Sequence, residues 1–373
     1  MKITIAGAGI GGLAAAIALR RKGHQVRVCE QASEISEVGA GIQISPNGMA
    51  VLRALEVDQD LDDVSVRATA VRLIDGPTGK PVLTLDLARH APDLDWRFVH
   101  RARLIELLAA RATSLRAALE TGVTVEPPLD GSAMPGDDLL IGADGLHSRL
   151  RAKVDEASKP FFTGQVAWRT VIPGTGAPVV EVHMGPGRHL VSYPLAGNLR
   201  NIVAVEERSA WAEEGWSHED HPANLRAAFT GFSPRVQAWL HDIESCFLWG
   251  LFRHRVADRW HAGAQVLVGD AAHPTLPFLA QGANLALEDA FVLSEALSGA
   301  ELPDALTNYQ SLRQARAAQI IEAATKNARN YHLRHPLIRK SAHGILRMVG
   351  RIAPAQPLKK FDWLYRHDVT AKH

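Results

Sequence analysis

The sequence predicts an α/β fold in which a parallel sheet with packed helices is interrupted by an antiparallel, strand-rich insertion and followed by long helices. Three observations lead to this prediction. A glycine-rich turn joins an apolar strand to a helix within residues 2–22. Short runs of alternating polar and apolar residues fill 161–251, a pattern typical of antiparallel strands. From residue 285 onward, apolar residues recur with the period of a helix.

The residues before the insertion show the alternation of strands and helices that a parallel sheet requires. Predicted strands occupy 2–6, 25–30, 96–100 and 138–143, and predicted helices occupy 13–22, 45–55 and 102–112. Ser45 has the position and the side chain of a helix N-cap. A hairpin is expected over 66–87, because the Gly-Pro-Thr-Gly stretch at 76–79 is typical of a tight turn.

The insertion and the helices after it divide the rest of the chain. One helical stretch, 222–240, interrupts the antiparallel pattern, and long helices are predicted at 285–297 and 305–333. We therefore expect two interleaved domains and a helical region. Their predicted bounds are 1–65, 96–160 and 254–300 for the first domain, 66–95 and 161–253 for the second, and 301–373 for the C-terminal helical region.

Composition narrows the class of protein. The chain has 373 residues, enough for two domains, and its 46% apolar and 22% charged residues are ordinary for a globular protein. Two cysteines, Cys29 and Cys246, favour neither a disulfide framework nor a cysteine-rich metal site, so no metal is predicted. The uncharged run 3–19 contains four glycines, which argues against a signal peptide or a membrane span of about 20 residues. We therefore predict a cytoplasmic protein.

Charge is unevenly spread along the chain. The net charge is +1, but residues 311–373 hold thirteen Lys and Arg against three Asp and Glu. We interpret this region as helices that dock on an acidic body or present a solvated basic face. The alternative is that 335–352 forms an amphipathic helix that contacts anionic lipid. Nucleic acid is not an expected partner, because aromatic residues are not interleaved with the basic ones.

The glycine-rich turn has the pattern Gly-x-Gly-x-x-Gly, with glycines at Gly7, Gly9 and Gly12. These glycines let the backbone turn tightly and approach a pyrophosphate, which binds at the helix N-terminus. Glu30 ends the second strand close to 20 residues later, where a carboxylate accepts hydrogen bonds from a ribose. The strand, turn, helix and acid together predict a Rossmann-like dinucleotide site, but they do not distinguish NAD from FAD.

A second strand ends at Asp144-Gly145, within DLLIGADGLHSRLR at 138–151. Ser148 and Arg151 follow at helical spacing. Taken alone, this segment is more typical of a simple turn before a capped helix than of a binding site.

A third strand ends at Gly269-Asp270, and the loop after it is apolar and stiffened by Pro274 and Pro277. The segment carries no further charge until Glu288, which suits contact with a flat, uncharged partner. Asp270 has the chemistry to accept hydrogen bonds from ribityl hydroxyls. The helix that starts at 281–282 directs partial positive charge to this point and would stabilise the anionic pyrimidine end of a reduced flavin.

These three segments resemble the fingerprints of the single-component FAD-dependent aromatic hydroxylases, which are class A flavoprotein monooxygenases. The segments are GAGIGG with Glu30, IGADGLHSRLR and GDAAHPTLPFLAQGANLALEDA, in that order. Four more segments are similar to the salicylate hydroxylase and 3-hydroxybenzoate 6-hydroxylase branch: AGIQISPN at 40–47, HRARLIELL at 100–108, VAWRT at 166–170 and FDWLY at 361–365. The resemblance implies a fold like that of 4-hydroxybenzoate hydroxylase. That fold has a Rossmann-like FAD-binding domain, an interleaved antiparallel β-sheet substrate domain and C-terminal helices.

The resemblance also implies roles for matching residues. Asp144 would serve both FAD and transient NAD(P)H binding, Asp270 would hold the ribityl chain, and Arg101 would contact the flavin side of the cofactor. The full set expected to bind FAD is Gly7, Gly9, Gly12, Glu30, Gln43, Arg101, Asp144, Gly269, Asp270, Pro277, Gly282, Ala283 and Asn284. Two features depart from the family. Arg103 stands where relatives often have an acid, and only 124–137 lies where relatives usually carry extra strands.

The reaction implied by the resemblance uses two small partners, an aromatic substrate and O2. NADH or NADPH reduces FAD, and the reduced flavin forms a C4a-hydroperoxide that hydroxylates an electron-rich ring. The expected substrate is an aromatic or heteroaromatic molecule that is phenolic or carboxylated. No side-chain nucleophile is needed, because the cofactor performs the chemistry. The protein orients the reactants and keeps water out of the site. The protein is expected to be a monomer or a homodimer.

A phenol reacts faster as its phenolate, so a base is expected, and histidine has a suitable pKa. His189, in the predicted sheet, is the candidate base, with Tyr193 and Gln281 as candidate orienting groups. In the alternative interpretation His189 is an ordinary strand residue. His273 is interpreted as structural. Two arginines on predicted strands, Arg169 and Arg188, are candidates to pair with a substrate carboxylate. In the alternative interpretation each is a solvated charge on its strand.

Two further functions remain open from the sequence. One is a flavin-binding redox module that does not hydroxylate. The other is a hydroxylase of a lipophilic quinone or a polyketide-type precursor that uses the basic C-terminal region at a membrane surface.

Overall fold

A computed structural model of the chain describes residues 1–35, 40–155, 159–209 and 218–371. The strands are β1 (Lys2–Ala6), β2 (Gln25–Glu30), β3 (Gly41–Ile44), β4 (Ser65–Arg67), β5 (Ala70–Asp75), β6 (Lys80–Asp86), β7 (Arg97–His100), β8 (Ala118–Thr121), β9 (Leu139–Gly142), β10 (Phe161–Pro173), β11 (Val179–Gly185), β12 (Arg188–Leu195), β13 (Leu199–Glu207), β14 (His218–Asp220), β15 (Cys246–Arg253), β16 (His261–Ala262) and β17 (Gln265–Leu267). The helices are α1 (Ile10–Arg21), α2 (Pro46–Ala54), α3 (Asp58–Leu61), α4 (Leu87–His90), α5 (Arg101–Ser114), α6 (Arg151–Val154), α7 (Pro222–Ala228), α8 (Pro234–His241), α9 (Gly282–Gly299), α10 (Leu302–Tyr331), α11 (Pro336–Ile352), α12 (Gln356–Lys359) and α13 (Asp362–Tyr365).

A six-stranded sheet carries all three motif segments. Its order is β16-β17-β9-β1-β2-β8, and every neighbouring pair except β16 and β17 is parallel. Its strands β9 and β17 are buried at every position, because the sheet shares one apolar core with α1, α5 and α9. Parallel strands end at the same edge of a sheet, so Gly7, Asp144 and Gly269 lie together after β1, β9 and β17.

An eight-stranded sheet forms the insertion, in the order β14-β15-β10-β13-β12-β11-β5-β6. Its strands are antiparallel except for the parallel β11–β5 pair. The helices α7 and α8 cover one part of it, where Trp168 packs edge-on against Phe229 in a buried apolar cluster. A smaller sheet of order β3-β7-β4 lies beside it, through contacts of β12 with β7.

The strands and helices predicted from the sequence are present, with three differences. The helical stretch 222–240 is divided into α7 and α8, because Ser233 donates its amide hydrogen to Gly76 O and Pro234 begins the second helix. The hairpin consists of β5 and β6 only, since 65–67 pairs with β7 instead. Ser45 precedes α2 as expected, but its hydroxyl donates to Asn47 Oδ1 at 2.6 Å instead of capping the helix. The predicted domain bounds remain predictions.

The basic C-terminal region docks on the body through ion pairs. Arg313 and Arg316 on α10 pair with buried Glu288, and Arg366 pairs with Asp93. Several of the cations in the region are therefore neutralised by acids of the preceding chain, which agrees with the interpretation of helices docked on an acidic body.

Helix α11 is amphipathic and lies on the surface, as in the alternative interpretation of 335–352. Its Arg347 donates to Pro81 O, and His343 lies 3.4 Å from Asp75. Its large apolar side chains are mostly exposed; they are Leu337, Ile338, Ile345, Met348 and Ile352. Lipid contact by this helix stays an untested alternative. Among the described residues, every helix is too short or too polar to cross a membrane. The cytoplasmic location and the oligomeric state also stay predictions.

Candidate active site

A cavity of about 640 Å³ connects the edge of the parallel sheet with the antiparallel sheet. Thirteen of the sixteen residues predicted for the site line it: Gly7, Gly9, Glu30, Gln43, Arg101, Asp144, His189, Tyr193, Gly269, Asp270, Pro277, Gly282 and Ala283. The structure therefore brings together residues from three strand ends, from α5 and α9, and from the insertion.

The three glycines of the first motif have different structural roles. Gly7 has a φ of +103°, and a Cβ atom there would lie 2.4 Å from Ala143 O. Gly9 precedes α1 and lines the cavity, and a Cβ atom there would meet no atom within 4 Å. Gly12 lies behind the turn, where a Cβ atom would be 2.0 Å from Gly7 O. Gly7 and Gly12 thus shape the turn, while Gly9 leaves room for a ligand at the helix N-terminus.

Glu30 both supports this turn and faces the cavity. Its carboxylate accepts a hydrogen bond from Ala8 N at 2.9 Å and another from Ala32 N at 3.0 Å. The carboxylate is therefore held in place at the end of β2 by the backbone. This is the position from which an acid contacts a ribose in a dinucleotide site.

Asp144 fits both interpretations made from the sequence, a residue that caps a simple turn and a residue that binds the cofactor. Its Oδ2 accepts a hydrogen bond from Arg149 N at 2.8 Å, which fixes the turn after β9, and the residue also lines the cavity. Burial raises the pKa of Asp144 above its ordinary value, against the opposing effect of hydrogen bonds from Ser148 and the backbone. The side chain is therefore a turn cap that remains beside the cavity.

Asp270 and Arg101 line the cavity from different elements. Asp270 follows β17 in a short 3-10 turn, which Gly269 begins with a φ of +61°. Burial raises the pKa of Asp270, and the charges of His273 and Arg101 oppose that shift. Arg101 begins α5, and its amide hydrogen is donated to Ala40 O. A carboxylate with few local partners next to an arginine is suited to a polyhydroxylated chain.

Asn284 and Gln281 differ from the sequence expectation. Gln281 Oε1 accepts from Asn47 Nδ2 at 3.1 Å and its Nε2 donates to Ser45 Oγ at 2.9 Å, so the amide belongs to a buried cluster behind the cavity. The Gln281 amide is thus engaged by Asn47 and Ser45, and the substrate-orienting role expected of Gln281 stays a prediction. Asn284 Oδ1 accepts from Ser45 N at 3.0 Å, and its Nδ2 donates to Gln43 O at 3.2 Å. Asn284 thus ties α9 to β3, while Gly282 and Ala283 face the cavity.

The main-chain oxygen of Gln43 accepts from Asn284, and its side chain makes a separate contact. Its Oε1 accepts from Trp96 Nε1 at 3.2 Å, and the residue lines the cavity near the start of α9. The first turn of α9 contains no acidic side chain of its own, so its N-terminus directs partial positive charge toward the cavity. This end of the cavity is suited to a group that gains negative charge.

The far end of the cavity is apolar with a few polar groups. Its apolar lining comes from Val191, Val203, Val205, Leu251 and Leu276. Arg169 also lines it, with its guanidinium carbon 4.2 Å from the ring centre of Trp249. Arg188 is instead directed to Glu206 and to Ala228 O. Of the two arginines considered from the sequence, Arg169 is therefore the one beside the cavity.

His189 and Tyr193 are both buried on β12. Tyr193 packs on Phe98, with ring centres 5.0 Å apart, and burial raises the pKa of its phenol. His189 Nδ1 lies 2.6 Å from His332 Nε2, a contact that the sequence analysis did not predict. Burial, aided by the charge of His332, holds the pKa of His189 well below its ordinary value. The missed partner directly follows α10 and is 143 positions away, so no local pattern could have indicated the pair.

A second missed feature is the ion network that fixes α9. His273 Nε2 lies 2.5 Å from Asp289 Oδ2, and Arg313 Nε donates to Asp289 Oδ1 at 2.7 Å. Glu288 pairs with Arg313 and with Arg316. The structural role expected for His273 agrees with these contacts. The acidic pair in the sequence LALEDA was the available signal, since two adjacent acids on an otherwise apolar helix need cationic partners.

The comparisons with known proteins agree with this geometry. Residues 1–324 match the family described as FAD binding domain. The chain is 36% identical to the 3-amino-4-hydroxybenzoate 2-monooxygenase of Streptomyces cremeus, over 89% of this chain and 88% of that protein. The chain belongs to the FAD-dependent aromatic monooxygenases. Another relative of this monooxygenase is the 3-hydroxybenzoate 6-hydroxylase of Polaromonas naphthalenivorans strain CJ2, at 32% identity over 99% and 96% of the two chains.

Solved structures confirm the predicted fold class. The Klebsiella pneumoniae HpxO complexed with FAD and uric acid has a TM-score of 0.80 and 25% identity, over 94% of each chain. A salicylate hydroxylase substrate complex has a TM-score of 0.81 and 22% identity, over 99% of this chain and 96% of that one. The monooxygenase therefore has the FAD-binding domain, the antiparallel substrate sheet and the C-terminal helices that the resemblance implies. Its family binds FAD, and the open space at Gly9 and the acid-free helix starts fit that cofactor.

Proposed function

We propose that this monooxygenase hydroxylates a phenolic benzoate, with NADH or NADPH as the transient electron donor. The observation that carries the proposal is the single cavity that joins the dinucleotide turn to Arg169 and His189. The names of two relatives support the substrate class, since one acts on 3-amino-4-hydroxybenzoate and the other on 3-hydroxybenzoate. A carboxylate and a phenol are the two groups for which Arg169 and His189 have matching chemistry.

The residues at the sheet edge would hold the cofactor. Gly9 and the N-terminus of α1 would receive the pyrophosphate, Glu30 a ribose, and Asp270 the ribityl hydroxyls. Arg101, Gln43 and the start of α9 would lie along the flavin. When bound, FAD supplies the electron transfer and oxygen activation that amino-acid side chains cannot provide.

The residues of the insertion would hold the substrate. Arg169 would bind the carboxylate, because a guanidinium forms charge-assisted hydrogen bonds to both carboxylate oxygens. His189 would accept the phenol proton through Nε2, since Nδ1 is directed to His332. Tyr193 would orient the ring from the same strand. The valine and leucine side chains around them would exclude water from the reacting atoms.

A substrate panel tests the proposal. The FAD-loaded protein would be mixed with NADH, NADPH and one of four acids: 3-hydroxybenzoate, 3-amino-4-hydroxybenzoate, salicylate or benzoate. We expect at least one of the three phenolic acids to stimulate nicotinamide oxidation and to give a product with one more oxygen atom. Benzoate lacks the phenol and should give no hydroxylated product. Nicotinamide oxidation that yields only hydrogen peroxide with all four acids would contradict the proposal.

A further inference from the structure

Three polar side chains connect the wall of the cavity with the surface. His189 Nδ1 lies 2.6 Å from His332 Nε2, and His332 Nδ1 lies 2.9 Å from Glu207 Oε1. The two histidines are 2% and 3% exposed, whereas the Glu207 side chain is 31% exposed. Glu207 Oε2 also accepts a hydrogen bond from Arg334 Nε at 3.0 Å. The three side chains, which we call the His-His-Glu line, span the distance from the cavity to solvent.

The backbone fixes this line at each position. His189 is on β12, and Glu207 is the last residue of the neighbouring antiparallel strand β13. Glu207 N donates to Gly187 O at 2.9 Å, and Gly187 N donates to His332 O at 3.2 Å. His332 is therefore bound to the β12–β13 pair through its main chain as well as its ring. Because the backbone at each of the three residues is held in place, the hydrogen bonds between their side chains have a fixed geometry.

The carboxylate of Glu207 determines the tautomers of both histidines. A carboxylate only accepts hydrogen bonds, so His332 Nδ1 carries a hydrogen and its Nε2 has a lone pair when the ring is neutral. His332 Nε2 must then accept from His189 Nδ1, which carries the hydrogen of that ring. His189 Nε2 is consequently left with a lone pair for the cavity. In this state His189 is a proton acceptor toward a substrate.

We propose that the His-His-Glu line is a proton relay between a phenolic substrate and solvent, an inference that rests on the proposed hydroxylation of phenols. The phenol O–H bond breaks and its proton binds to His189 Nε2. The hydrogen on His189 Nδ1 moves to His332 Nε2, and the hydrogen on His332 Nδ1 moves to Glu207 Oε1, from which water takes it. No atom changes its oxidation state. The reverse sequence returns a proton to the product phenolate and restores the starting tautomers.

The surroundings favour the passage of a proton over its storage. Burial and the nearby His332 lower the pKa of His189, so a positive charge is not stable on that ring. Burial also lowers the pKa of His332, with Arg334 and Arg188 acting in the same direction and Glu207 opposing them. The rings of Phe278 and Tyr331 cover His189, and Glu206 pairs with Arg188. A buried base in such a site needs an exit for its proton, and the line provides one.

The first test uses His332→Gln and, as a matched control, Tyr331→Phe. Tyr331 also contacts the His189 ring, with ring centres 5.3 Å apart, but stands outside the line. With 3-hydroxybenzoate and 3-amino-4-hydroxybenzoate, we expect His332→Gln to lower product formation near pH 7 by roughly ten- to a hundredfold. The loss should shrink as the pH approaches about 10, the pKa of an ordinary phenol, because the substrate then enters as phenolate. Tyr331→Phe should keep the wild-type rate and pH dependence.

The second test uses Glu207→Gln, a substitution at a partly exposed position that keeps the shape of the side chain. The carboxylate raises the pKa of His332, so its loss lowers that pKa. His332 must be neutral to accept from His189, and the acid limb of the rate profile should therefore move to lower pH while the maximal rate falls. A role that is only structural would lower the rate without moving the limb. This variant keeps the relay testable even where His332→Gln fails to fold.

A third measurement is independent of turnover. The oxidised, FAD-loaded protein would be mixed with 3-hydroxybenzoate in weak buffer that contains a pH-indicator dye. The wild type should release a proton rapidly on binding, and His332→Gln should release it at least about tenfold more slowly. If the wild type hydroxylates no phenolic acid, the proposed function fails, whereas unequal release rates would still support the relay. Equal release rates, or a loss of activity of equal size at pH 7 and at about pH 10, would overturn it.

Discussion

Arg313 Nε lies 2.7 Å from Asp289 Oδ1, and both side chains are almost fully buried. Burial alone would raise the pKa of Asp289, but the charges and hydrogen bonds of His273 and Arg313 lower it to about 2. Asp289 also accepts from Gly269 N at 3.0 Å, so this pair connects the C-terminal helices with the third motif. The α10 helix therefore contributes to the site without reaching the cavity at this point.

Replacing Arg313 with Met should destabilise the protein strongly. The substitution leaves Glu288 and Asp289 buried without a major cationic partner, which costs about 3–5 kcal/mol for a broken buried pair. The exposed pair of Lys326 and Glu322 on the same helix is a matched control, and Lys326→Met should change stability by less than about 1 kcal/mol. Urea unfolding of the two variants measures the difference. Equal midpoints would contradict the importance of the buried network.

The same pair predicts a dependence of stability on pH. Because the folded-state pKa of Asp289 is about 2, below the ordinary value of 3.8, its contribution to stability is present above pH 3.8 and is lost as the pH falls toward 2. Asp289→Asn should be less stable at neutral pH but should lose less stability than the wild type over that interval. Chemical unfolding at several pH values from neutral to acidic measures both curves. Parallel curves for the two proteins would show that Asp289 is not the titrating group.

The different roles of Gly9 and Gly12 in the first motif can be distinguished experimentally. Gly9→Ala meets no atom within 4 Å and has an ordinary φ of −72°, so the protein without cofactor should melt at the wild-type temperature. The added methyl group would face the cavity, and FAD affinity should fall by at least about tenfold. Gly12→Ala places a Cβ 2.0 Å from Gly7 O and should itself destabilise the fold by about 1–3 kcal/mol or more. If Gly9→Ala bound FAD as tightly as the wild type, the pyrophosphate would not lie at this turn.

Asp270 is predicted to hold the ribityl chain. Asp270→Ala should lose FAD during dialysis, because the ribityl hydroxyls would have no carboxylate to accept their hydrogen bonds. Asp130→Ala is the control, since Asp130 is exposed and bonds only to nearby Ser132 in the contacts described. Absorbance of the retained flavin measures the outcome. Stoichiometric yellow cofactor in dialysed Asp270→Ala would remove Asp270 from the binding site.

Arg169 is predicted to recognise the substrate carboxylate. Arg169→Met should weaken the binding of 3-hydroxybenzoate by roughly 10- to 100-fold, a loss of about 1.5–3 kcal/mol for a charged hydrogen bond, and should affect a phenol without a carboxylate far less. Arg208→Met is a matched control, because Arg208 lies over Trp168 much as Arg169 lies over Trp249 but is outside the cavity lining. Perturbation of the flavin absorbance by each ligand measures the dissociation constants. An equal loss for both ligands would indicate general damage to the cavity.

The sequence predicted the parts of the site that follow from strand ends. Gly7, Asp144 and Asp270 each follow an apolar strand, and parallel pairing alone brings such ends to one edge. The direction in which a side chain points at the start of a helix does not follow from the positions of strand ends. Gln281 and Gly282 are adjacent, yet only the second faces the cavity, because Ser45 and Asn47 attract the Gln281 amide.

Contacts between distant elements were the other part that the sequence could not supply. His332 reaches His189 because α10 packs against the insertion, and Arg313 reaches Asp289 because α10 packs against α9. Neither pair has a local spacing that a motif could encode. The adjacent acids at 288–289 were a signal that cationic partners were needed, but they could not indicate which of the thirteen cations in the C-terminal region would serve.

The most direct test of hydroxylation in this cavity follows the oxygen atom. The FAD-loaded protein would be supplied with NADH, isotopically labelled O2 and the phenolic acid that it turns over. Mass spectrometry would then determine the mass of the product. Hydroxylation in this cavity should give one labelled oxygen in each product molecule, and no label when water carries the isotope instead. Label from water, or labelled hydrogen peroxide as the sole product, would contradict the claim that this cavity inserts an atom of O2 into an aromatic ring.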